Sequence, residues 1–142
     1  LTGGFRSPAL FVLISFLIPA LILALINKDG LAAFLYLAMM GGWLFYVFLL
    51  HLAVTKLMSG RGPFQATFRA AAYASFTNLF GFVPFLGLIA HIFGLYLTGQ
   101  GLVAAHRLNL GKAILAVVLV LAALIAANLL LARTLFQSLW SI

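Results

Sequence analysis

Hydrophobic residues run along this chain in long stretches, broken by short clusters of Gly, Pro, Asn and basic residues. A run of about 20 apolar residues in helical form crosses a ~30 Å hydrocarbon layer, so run lengths set the elements. The first run covers residues 8–26, between Arg6 and Asn27-Lys28-Asp29-Gly30. Pro8 suits a first helical turn, whereas Pro19 falls in the interior and predicts a kink. A signal peptide is the competing reading, but the run exceeds the usual apolar core of one and no small-x-small site follows. A retained span is the expectation. The second run covers residues 31–55 and ends at Lys56 and Ser59-Gly60-Arg61-Gly62-Pro63, the strongest linker signal in the chain. From Ala70 to Ala105 no charged residue occurs. One helix of that length would measure about 54 Å, so the segment must turn. Gly81-Phe82-Val83-Pro84 and Gly87 supply the breakers, giving runs 64–80 and 85–105; a re-entrant hairpin is the alternative. The last run, 113–135, follows His106-Arg107-Leu108-Asn109-Leu110-Gly111-Lys112 and places Arg133 near its end, with Trp140 as an interface anchor.

The pattern predicts an all-α integral membrane protein, a single domain over residues 1–142 with five transmembrane helices. Composition agrees: 66% of residues are hydrophobic, 6% are charged, and mean hydropathy is +1.27. Nine charged side chains could not cover the surface of a water-soluble domain of this length. The net charge of +7 would suggest nucleic acid on a soluble chain, but here the basic residues stand singly between apolar runs. They report membrane orientation instead. With the N-terminus cytoplasmic and the C-terminus outside or lumenal, Arg6, Lys56, Arg61, Arg69, Arg107 and Lys112 fall inside, six of the eight. No cysteine is present, which excludes disulfides and thiolate metal sites.

Catalytic chemistry finds few residues. The only carboxylate side chain is Asp29, so there is no acid pair and no carboxylate proton relay. Gly60-Arg61-Gly62-Pro63 lacks the Lys-Ser/Thr of a phosphate-binding loop. No enzyme, metal site or cofactor is expected. His51, His91 and His106 are the candidates for haem or metal ligands. The span order puts His51 and His91 roughly 15–20 Å apart along the membrane normal, too far for one iron. His51 and His106 are closer in depth, but His106 reads as interfacial beside Arg107. Structural histidines are the expectation.

Asn78, His91 and Asn128 fall at similar depths in the outer half and predict a buried polar layer, either interhelical hydrogen bonding or a pocket for a headgroup or small solute. Ala66, Ala70 and Ala74 lead to Asn78 at i+4 steps as a packing stripe. Ala38/Gly42, Gly94/Thr98 and Ala122/Ala126 offer further small-residue faces. Lys56, Arg61, Arg69, Arg107 and Lys112 are expected to contact lipid at the inner interface.

From Thr67 onward the chain resembles the Yip (Ypt/Rab-interacting protein) domain family. Thr67-Phe68-Arg69-Ala70-Ala71-Ala72-Tyr73-Ala74-Ser75 is similar to that family's entry into its third span, and Phe82-Val83-Pro84-Phe85-Leu86-Gly87 to its Pro-x-x-Gly turn. Gly94-Leu95-Tyr96-Leu97, Gly101-Leu102, His106-x-Leu108 and Gly111-Lys112-Ala113 follow in order. Thr77 replaces an expected proline, and Phe93 a common tryptophan. The resemblance implies a five-span fold. It also implies association with small GTPases for eukaryotic relatives, but no residue here carries that role over. The expected function is a non-enzymatic scaffold or accessory subunit of a membrane complex, in contact with lipids and with other membrane subunits or itself. A small oligomeric transporter or channel is the alternative, and an anchor for a haem or pigment protein a weaker one. A bacterial or archaeal inner membrane is favoured, with a eukaryotic endomembrane as the other setting.

Overall fold

A computed structural model describes residues 6–140 apart from Asp29 and Phe82. Those two, placed in turns by the sequence, lie outside the described residues, as does the side chain of Trp140. The described residues are helical with no strand. Helix α1 spans Arg6–Asn27 and α2 spans Gly30–Leu52, continued by a π turn over Ala53–Leu57. Helix α3 spans Phe64–Ala74 and tightens into a 3₁₀ segment over Ser75–Phe80. Helix α4 spans Leu86–His106 and α5 spans Leu110–Trp140. Four of these stretches are long and apolar enough to cross a membrane: Arg6–Ile26, Ala33–Leu57, Leu86–His106 and Leu110–Thr134. The stretch 64–80 is different. Its eleven α-helical and six 3₁₀ residues rise roughly 28 Å together. It carries Gln65, Arg69, Ser75 and Asn78 among its apolar residues.

Packing explains that polarity. Helix α3 lies against α1, α2 and α4, and the 3₁₀ segment lies against α1 and α4. Thr67, Phe68, Ala71, Ala72 and Ala74 are buried, so this short segment fills the middle of the bundle and meets little lipid. One core joins Val12 and Phe16 of α1, Val47 of α2, and Phe68, Ala71 and Ala72 of α3. Phe16, Trp43 and Phe68 pack edge to face within it. A second core joins the end of α2 and the π turn (Leu50, Ala53, Val54) to Leu102 of α4 and to Ala113, Ala116, Val117 and Val120 of α5. Helix α1 stays helical through Pro19, which is buried.

Helix α5 behaves otherwise beyond this core. Its buried residues lie in its first eleven positions, and from Ala122 to Thr134 all are exposed except half-buried Leu124. One end of the bundle gathers the linker 58–63, the ends of the π turn and α4, and the starts of α3 and α5. Ser7 and Pro8 of α1 reach that end too, sharing a groove with Pro63 and Ala105. We call it the linker end.

Candidate functional site

Three helices meet the linker through a continuous hydrogen-bonded chain. The backbone N–H of Gly62 donates to His106 Nδ1 at 3.0 Å. That bond makes Nδ1 an acceptor, so the proton of neutral His106 sits on Nε2. Nε2–H then donates to Thr67 Oγ1 at 2.7 Å. Thr67 lies 2.9 Å from His51 Nδ1, and its hydroxyl proton has no other acceptor among the described residues. It therefore donates to His51 and leaves the His51 proton on Nε2. Every bond points the same way, from linker to α4 to α3 to α2.

The chain is buried where it matters. Thr67 is 0% and His106 1% exposed, and the two imidazoles stand 5.9 Å apart. His51 is half-buried and sets its ring edge-on to Phe64 at 5.4 Å. A buried polar group left without a partner costs about 1–3 kcal/mol, so the chain stabilises the bundle mainly because each member satisfies the next. Local backbone makes this possible. A Cβ on Gly62 would stand 2.5 Å from Ala105 O and 2.8 Å from His106 Nδ1, so only glycine lets the linker close on the end of α4. The π turn begins two residues after His51, with Met58 N–H donating to Ala53 O at 3.2 Å.

The sequence set His106 at the interface because Arg107 follows it. The structure instead tucks the imidazole under the linker and turns Arg107 outward, with Arg107 in the left-handed region at φ 54°. Glycine is the usual residue at such a helix end, and a side chain there costs about 1–2 kcal/mol. Gly60 and Gly62 were the available signal, read only as a linker. His51 and His106 thus stand together through Thr67, a residue that sequence reasoning did not single out for this role.

The five basic residues expected at one interface separate into groups. Arg61, Arg107 and Lys112 line one cavity of about 420 Å³, with Met58, Ser59 and Asn109. Arg69 is half-buried and borders a larger groove of about 650 Å³ between α1, α3 and α4. Lys56 borders a third hollow between the π turn and α5. The alanine stripe divides too. Ala66 and Ala70 face the larger groove, and a Cβ on Gly101 would stand 2.6 Å from that of Ala70, a close α3–α4 crossing. Ala74 lies deeper, beside the other polar layer.

In that layer Asn78 and His91 come together and Asn128 does not. Asn78, His91, Ala74 and Thr77 border a cavity of about 170 Å³, together with Tyr46. Tyr36 donates its hydroxyl to Asn78 O at 2.7 Å, and His91 Nδ1–H donates to Gly87 O at 2.6 Å. The Tyr46 hydroxyl is buried without a partner among the described residues. Asn128 is exposed on α5 and donates from Nδ2 to Leu124 O of its own helix at 2.8 Å. Similar depth did not bring it inward, because α5 leaves the bundle core before reaching it. Among the small-residue pairs, Gly94 and Thr98 are buried, Gly94 against Thr77. Ala38/Gly42 and Ala122/Ala126 are exposed.

Comparison with known proteins adds one relation. The family model described as the Yip1 domain matches residues 2–131. No curated protein and no solved structure matches the chain.

Proposed function

The chain belongs to the Yip1 domain family, and from that premise we propose that it is a non-enzymatic scaffold or accessory subunit of a membrane complex. Its partner is another transmembrane helix docked on the distal half of α5. The observation that carries this reading is Asn128. An amide in the outer third of the span, about 27 Å along α5 from Leu110, stands exposed among apolar side chains. Its own-helix bond uses one Nδ2 proton, and the amide oxygen has no partner among the described residues. A polar group facing lipid is costly, and a partner helix with a hydrogen-bonding side chain removes that cost. Exposed Ala122 and Ala126 permit close approach.

In this reading the chain crosses the membrane five times with its N-terminus inside, residues 64–80 forming the central, lipid-shielded span. The roughly 28 Å rise of that stretch supports the count, and the basic residues gathered at the linker end support the orientation. The transporter alternative asked Asn78, His91 and Asn128 to line one path, and the position of Asn128 withdraws support from it.

Purification from native membranes in a gentle detergent, with mass spectrometry of what stays bound, tests the proposal. A stoichiometric membrane-protein partner lost in Asn128→Leu is expected. Recovery of the chain with lipid alone would reject the role.

A further inference from the structure

Three cations converge on one cavity at the linker end without a counter-charge. Arg61 comes from the linker, Arg107 from the turn after α4, and Lys112 from the first turn of α5. None of these side chains has a hydrogen bond or ion pair among the described residues. The sequence holds one carboxylate side chain, Asp29, which lies outside the described residues. The cavity, about 420 Å³, also meets the start of the 31-residue α5. There Asn109 Oδ1 accepts the Lys112 N–H at 2.8 Å. Remaining N–H groups of the first turn and the positive end of the helix dipole favour an anion. Arg107 strengthens the case, since it keeps a cation at a left-handed position where glycine would sit without strain.

We infer that this cavity binds an anionic phosphate group, supplied by a lipid headgroup of the adjoining leaflet or by a free phosphate species. Two arginines can each offer paired N–H donors to phosphate oxygens, and the lysine adds a point charge. The site is independent of whether α5 takes a partner helix.

The test uses the full chain in nanodiscs of phosphatidylcholine alone or mixed with phosphatidylglycerol, read by native mass spectrometry, and the detergent-purified protein titrated with inorganic phosphate. Arg107→Gly and Lys112→Gln are compared with the parent. Arg107→Gly removes the cation while suiting the backbone, so its melting temperature without anionic ligand should not fall. One phosphatidylglycerol retained per chain, with affinity lowered about tenfold in each variant and weakened by salt, assigns a headgroup. Phosphate binding without lipid retention, again lowered in both variants, assigns a free phosphate species. Equal binding by parent and variants, or neither preference for phosphatidylglycerol nor phosphate binding, overturns the inference.

Discussion

Residues 64–80 and the distal half of α5 invert the usual relation between polarity and burial. The first stretch is the less apolar, and it is enclosed by α1, α2 and α4. The second, over residues 122–134, is apolar but for Asn128, Arg133 and Thr134, and it is exposed apart from half-buried Leu124. In lipid this is a consistent arrangement. Hydrocarbon gives apolar side chains no reason to leave it, so burial goes to the groups that need partners, and small residues let those groups meet. The short stretch supplies Thr67 to two histidines and Asn78 to Tyr36. In the long one Asn128 and Thr134 bond to carbonyls of their own helix.

Substitutions at the enclosed stretch should cost most. Thr67→Val keeps the shape and deletes the bridge, leaving His106 Nε2–H buried without an acceptor. A loss of about 2–3 kcal/mol is expected in reversible unfolding in mixed micelles. Nitrogen NMR of labelled histidines should show protons on Nε2 of both His51 and His106 in the parent, and a mixture of tautomers in this variant. Gly101→Val forces a side chain against Ala70 and should cost about 1–2 kcal/mol in the same assay. At the distal half of α5 the effects on the isolated chain should nearly vanish. Asn128→Leu and Ala126→Leu are each expected within about 0.5 kcal/mol of the parent, and a larger loss would mean that this stretch packs within the chain after all.

The sequence displayed one part of this difference and hid another. Helical class was legible because four largely apolar runs of 19–25 residues, without the alternation of a membrane strand, have the length of spanning helices. The linker was legible in Ser59-Gly60-Arg61-Gly62-Pro63. The pairing of His51 with His106 was not, because it depends on a loop folding back over a helix end, and Arg107 next door pointed to the interface. Asn78 and His91 share a cavity, while Asn128 lies apart. Depth along a helix can be counted from residues, but facing cannot: α5 has no polar periodicity to mark which side meets the bundle. The π turn and the 3₁₀ segment had no composition signal, since Ala, Val, Ser and Phe suit an α-helix as well.

A photoreactive amino acid at Leu129, beside Asn128, probes the exposed stretch in native membranes most directly. One discrete protein adduct, absent when the probe is moved to Leu13 on α1, is the expected result. Lipid adducts alone at Leu129 would show that the distal half of α5 faces only the bilayer, and would contradict its assignment as a docking surface.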